Sequence, residues 1–99
     1  MKKNSVTKEQ AREAVERLLD AVRADSGVSL RLARFILSTH GAHSDVDFDL
    51  FPSLDNDNLE AAHIAMRYSL FERRYELPLD WEEAMEIRDY WEERNKASA

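Results

Sequence analysis

Ten residues, His40-Gly41-Ala42-His43-Ser44-Asp45-Val46-Asp47-Phe48-Asp49, hold two histidines and three aspartates. No other stretch of the chain is so dense in groups that could bind a cation or move a proton. As a calcium loop, Asp45, Asp47 and Asp49 fall at the first, third and fifth positions of an EF-hand. The sixth position requires glycine and is Leu50, and the twelfth requires a bidentate glutamate and is Asn56. Pro52 also lies inside the loop. Two essential positions fail. As a transition-metal site, His40 and His43 with Asp45 or Asp47 supply nitrogen and oxygen ligands. The histidine spacing is shorter than structural zinc pairs use, and the chain has no cysteine to complete a tetrahedron. His63 sits on a helical wheel beside Leu59, Met66 and Leu70, where a packing or capping histidine belongs. The stretch therefore reads as a polar connection between helices. A histidine in the last turn of the preceding helix also suits the negative end of its dipole.

Other catalytic constellations are lacking. With no cysteine there is no thiol nucleophile, disulfide or iron–sulfur cluster. Two glycines are too few for a phosphate-cradling loop, and no serine stands in a nucleophile elbow. The sequence predicts a non-enzymatic protein with no cofactor and no catalytic residue.

Two features of the last helical segment carry an alternative. Glu82, Glu86, Asp89 and Glu93 recur at spacings of four, three and four. At 1.5 Å per residue they lie about 5–6 Å apart, close to the phosphate spacing of a nucleic-acid strand. Such a row could imitate nucleic acid and block a basic groove, although a solvated helix face has the same composition. Beside it stand Trp81, Tyr90 and Trp91. Trp81 is expected to close the core; Tyr90 and Trp91 are candidates for a contact surface.

The elements that would carry these groups follow from periodicity and punctuation. The 99 residues, 43% hydrophobic, amount to one domain that can bury roughly 60–65% of its unfolded surface. Gly27, Gly41, Pro52 and Pro78 are the only glycines and prolines, and they divide the chain into segments of helical length. β-Branched residues never alternate with polar ones over a strand's length. The expectation is an all-α, compact bundle of four helices. Its core is drawn from helices 1–3, with an ordered apolar loop or short helical turn between helices 2 and 3. Residues 1–6 are expected to be a disordered tail, 7–95 a single helical domain and 96–99 a frayed end.

Helix 1 starts at a Thr7–Gln10 capping box and repeats Ala11, Ala14, Val15, Leu18, Leu19 and Val22 on one face, with Gly27 as its stop. Helix 2 spans about Val28 to His40 and is apolar except for Arg31, Arg34 and Ser38. Joined by Ser26-Gly27, helices 1 and 2 could suggest a helix-turn-helix, but the second helix has no broad basic face for a major groove. Phe48, Leu50, Phe51 and Leu54 are expected to plug the core. Helix 3 starts at Asp55 or Asp57, the latter with a capping box to Glu60. It carries two apolar faces: Leu59, Ala62, Met66 and Leu70 on one, and Ala61, Ile64, Tyr68, Phe71 and Tyr75 on the other. Helix 4 follows Pro78 with an Asp80–Glu83 box.

Net charge is −6. Residues 1–23 carry six basic and four acidic groups, residues 24–63 two and seven, and residues 64–99 six and nine. The negative balance repels phosphate backbones and anionic headgroups, so neither direct nucleic-acid binding nor a membrane surface is expected. MKKNSVTKEQ has lysines but no apolar run after them, unlike a secretory leader, and Phe35-Ile36-Leu37 is far shorter than a membrane span. A cytoplasmic protein is expected, acting on another protein or on a second copy of itself.

The pattern AVERLLDAVRADSGVSLRLARFIL, then FDLFPSLDND, then an arginine- and tyrosine-rich helix, resembles an uncharacterised family of short proteins from phages, plasmids and integrative elements of bacteria. The resemblance spans roughly residues 13 to 92. Its most specific pieces are the Ser26–Ser29 turn and the Phe48–Leu50 triplet. It implies a mobile-element setting and brings no catalytic or binding residue with it.

Overall fold

A computed structural model describes residues 5–40 and 47–98, with side chains through Arg94. Its elements are α1 (Lys8–Arg23), α2 (Ser29–His40), a 3₁₀ segment (Phe48–Ser53), α3 (Asn56–Met66), a π turn (Arg67–Phe71) and α4 (Trp81–Ser98). There is no strand among the described residues. The radius of gyration, 12.8 Å, is that of a compact chain of this length.

α1 begins as its sequence dictates. Thr7 Oγ1 accepts from the Gln10 N–H, and the Gln10 side chain accepts from the Thr7 N–H, both at 3.0 Å. All six stripe residues, Ala11 to Val22, are buried. The helix stops differently from the expectation at Gly27. The left-handed residue is Asp25, with φ 53°. Gly27 has no positive φ, and nothing lies within 4 Å of where its Cβ would be. The turn is fixed instead by Ser29. Its hydroxyl is wholly buried, donates to the Ala21 carbonyl at 2.8 Å, and accepts from the Ser26 N–H at 2.8 Å.

α1 packs against both α2 and α3, and α2 packs in turn against α4. The continuous apolar core draws on all of these elements. Val15, Leu18, Leu19, Leu32, Phe35 and Ile36 are its centre, and among the described residues of α4 one, Ile87, is fully buried. What α4 lacks in buried area it makes up in long side chains reaching from α1. Arg12 Nη1 and Nη2 each donate at 2.7 Å to one oxygen of Glu83, and Arg23 donates to Glu86 at 2.8 and 2.9 Å.

The 3₁₀ segment plugs the core with Leu50 alone fully buried, while Phe51 and Leu54 are half-buried. Phe48, expected in the plug, is 70% exposed. In a 3₁₀ turn, residues three apart eclipse one another. Phe48 accordingly stacks outside Phe51, ring centroids 6.0 Å apart, and Phe51 meets Phe35 edge to face at 5.8 Å.

α3 is capped by Asp55, which accepts from the Asn58 N–H at 2.8 Å, so the alternative Asp57–Glu60 box is not used. The helix does not continue to Tyr75 as its two-faced pattern predicts. It widens into the π turn at Arg67, and Arg73 and Tyr75 then adopt left-handed conformations, φ 59° and 62°. α4 opens with the expected box: Asp80 accepts from the Glu83 N–H at 2.8 Å and Glu83 from the Asp80 N–H at 3.1 Å. Val6 is 6% exposed, and the α4 backbone is helical through Ser98.

Candidate functional site

The segment from Ser69 to Trp81 is held by side chains on both sides. Ser69, buried, donates its hydroxyl to the Thr39 carbonyl, and Thr39 donates its own to Phe35 one turn back. Further bonds tie the segment to the α2 terminus and to Val6. His40 Nδ1 accepts from the Leu77 N–H at 3.0 Å. The Glu72 carboxylate accepts from the Val6 N–H at 3.0 Å and faces Arg67 and Arg74 at 3.2 and 3.3 Å. Arg74 closes the knot by donating to the Val6 carbonyl at 2.9 Å, with its guanidinium 4.3 Å from the Tyr68 ring centroid.

From this fixed backbone three aromatic side chains face solvent: Phe71 at 70% exposure, Tyr75 at 55% and Trp81 at 75%. All three were expected to pack inward. The wheel that put Phe71 and Tyr75 on an apolar face assumes a constant helical phase, which the π turn and the left-handed residues interrupt. Trp81 is the first residue of α4. A π turn and non-glycine residues at positive φ are both enriched at functional sites. Neither has a local sequence signal. The only hint was the surplus of aromatic residues between 68 and 81.

The sequence candidates on α4 are divided. Glu86 is not part of a free acidic row: its carboxylate is bonded to Arg23, whose hydrogen bonds hold its pKa below the ordinary range. Glu82 is exposed, Asp89 lies 3.7 Å from Arg88, and Glu93 lies 4.0 Å from Arg94. Tyr90 donates to Asp25 and sits beneath Arg94, 3.9 Å from ring centroid to guanidinium. Burial, followed by that bond, raises its phenol pKa. Trp91 is half-buried on the core, with Arg34 at 5.8 Å from its ring. A further acidic surface lines the trough between α1 and α3: Glu13, Glu16, Asp20, Asp57 and Glu60, of which Glu16 pairs with Arg12, Asp20 with Arg23 and Asp57 with Arg17.

Of the metal candidates, His43 and Asp45 lie outside the described residues. His40 is engaged with Leu77. Asp47 accepts from Arg31 at 2.9 and 3.2 Å and from the Asp49 N–H at 3.0 Å, and the Arg31 bonds hold its carboxyl below the usual range. No group of three or more His, Asp or Glu side chains is placed to hold a metal ion among the described residues. No described helix is long and apolar enough to cross a membrane.

Comparison of the chain with family models, with curated proteins and with solved structures gives no match in any of the three. The likeness to mobile-element proteins therefore rests on the quoted segments alone.

Proposed function

We propose that the chain is a small acidic protein, not an enzyme, that acts by binding another protein through the Phe71–Tyr75–Trp81 surface. One observation carries this reading: three large aromatic side chains project from a backbone that buried and charged groups hold in place. Pre-ordered aromatic residues lose little entropy on binding and supply much of the energy at protein interfaces. Tyr90 and Trp91, half-buried on the opposite stretch of α4, serve the fold more than the contact.

The alternative, imitation of nucleic acid by Glu82, Glu86, Asp89 and Glu93, has less support, because Glu86 shares its charge with Arg23. A matched capture experiment separates the two. Wild type and a Phe71→Ser/Trp81→Ser double variant are immobilised and exposed to lysate of the source cells, with low- and high-salt washes. A partner kept by wild type at high salt and lost by the variant is the expected result. A partner held equally by both proteins and released by salt would transfer the function to the acidic surface. Tyr75→Gly adds a sharper test. Relief of the left-handed strain should leave the fold as stable or up to about 1 kcal/mol more stable, while partner binding weakens.

A further inference from the structure

The charges around Phe71, Tyr75 and Trp81 fall into two groups. Three are taken up by the fold: Glu72 and Arg74 face each other at 3.3 Å, and Asp80 caps α4. The other three are Arg73, Glu76 and Glu82. All are exposed, and none has an ion pair or side-chain hydrogen bond among the described residues. The stretch from Phe71 to Glu82 thus presents three exposed rings, one free cation and two free carboxylates. Arg73 and Tyr75 are also its two left-handed residues, so backbone strain is kept where a free charge and a free ring stand.

A surface of one sign calls for a partner of the other sign. A surface with both signs beside an apolar centre complements itself. A two-fold axis through it lays rings on rings and sets the cation of each copy against the carboxylates of the other. Size agrees with a reversible pair. A fully buried aromatic side chain removes about 150–250 Å² from water, so exposures of 70%, 55% and 75% leave roughly 400 Å² of aromatic surface per copy. With the charged residues at the rim, two copies bury on the order of 1,000 Å² in all, near the lower limit of a specific interface. Each copy carries a net charge of −6, but salt screens that repulsion beyond about 8 Å at physiological ionic strength, so an apolar contact survives it.

We propose that the Phe71–Tyr75–Trp81 surface binds a second copy of the chain in a reversible, two-fold symmetric dimer, Arg73 of each copy set against Glu76 and Glu82 of the other. This rests on the reading of that surface as a protein contact and names its occupant.

Sedimentation equilibrium of the full chain at about 0.15 M salt separates the 11.5 kDa monomer from its dimer. Wild type should dimerise in the micromolar range, as a small interface does, and Phe71→Ser/Trp81→Ser should stay monomeric. Arg73→Glu leaves only carboxylates at the rim, and Glu76→Arg/Glu82→Arg leaves only cations. Each should self-associate about tenfold more weakly than wild type, and an equimolar mixture of the two should regain at least the wild-type affinity. The substituted side chains are all exposed, so each variant keeps the fold. A wild type that stays monomeric to millimolar concentration would overturn the second copy as occupant, while the lysate capture decides separately whether the surface is a protein contact at all. A dimer that survives Phe71→Ser/Trp81→Ser would overturn the proposal by placing the contact elsewhere. A mixture no tighter than its two components would overturn the two-fold charge pairing.

Discussion

α1 and α4 are the two helices with the most charged surface, yet they are held by different forces. α1 buries an unbroken stripe of six residues and would stay docked with its charges removed. α4 fully buries Ile87 alone among its described residues, and its position relative to α1 is set by guanidinium–carboxylate pairs. The first kind of attachment depends on volume, the second on protonation and salt. Glu83 concentrates that dependence, since it closes the α4 capping box while accepting both Arg12 nitrogens. Arg12 also donates to the Pro78 carbonyl at 2.8 Å, so the entry to α4 and its first turn hang on one side chain.

The contrast is open to measurement. The largest effect belongs to α1: Leu18→Ala should cost about 3 kcal/mol in denaturant unfolding, as a fully buried leucine does, whereas Met85→Ala on half-exposed α4 should cost under about 1 kcal/mol. Comparable losses at the two positions would mean that α4 is held by packing after all.

Next comes Glu83→Gln, which keeps the capping bond and removes the charge. The hydrogen bonds from Arg12 hold the Glu83 carboxyl at about 2 against an ordinary 4.5. Because the folded value is the lower one, the stabilisation is complete above about pH 4.5 and is lost as the pH falls towards 2. With a discount for the partly exposed Arg12, the variant should be about 2 kcal/mol less stable than wild type near neutrality, and the gap should close in acid. A gap that persists at pH 2 would show that packing, not charge, is lost.

Smaller still is Arg23→Ala. Arg23 and Glu86 are each nearly half exposed, so the loss should stay under about 1 kcal/mol and shrink with added salt. Last, Gly27→Ala should leave stability unchanged or raise it by about 0.5 kcal/mol, because the added methyl meets nothing and the unfolded chain loses freedom. A marked loss would place the turn's constraint at Gly27 instead of Asp25.

The parts of this architecture written in short-range code could be read directly. The Thr7–Gln10 and Asp80–Glu83 boxes and the α1 stripe depend on residues three or four apart, and each stands where the pattern puts it. What could not be read depends on distance along the chain or on a change of helical phase. Nothing local announces that Arg12 will meet Glu83, or Val6 the Glu72 carboxylate, separations of 71 and 66 residues. Nor does a wheel foresee that α3 widens at Arg67, which turns Phe71 outward. The cavity lined by Trp91, Arg31 and Arg34 was half visible. The aromatic pair Tyr90 and Trp91 is evident in the sequence, but the arginines that share the cavity with Trp91 sit on α2, and only folding brings them together.

The ties around Ser69, Glu72 and Arg74 bear on how the chain matures. The α1–α2 turn is closed by Ser29 reaching back eight residues to Ala21. The carbonyl of Thr39 finds the Ser69 hydroxyl 30 residues on, and the Val6 N–H waits for a carboxylate 66 residues away. Closure entropy grows with that separation. A fragment ending before residue 69 thus contains α1 and α2 but lacks Ser69, Glu72 and Arg74, the partners of the Thr39 carbonyl and of the Val6 backbone. Phe71, Tyr75 and Trp81 all lie beyond the end of such a fragment, so none of these exposed aromatic side chains exists until the segment that carries them has been made.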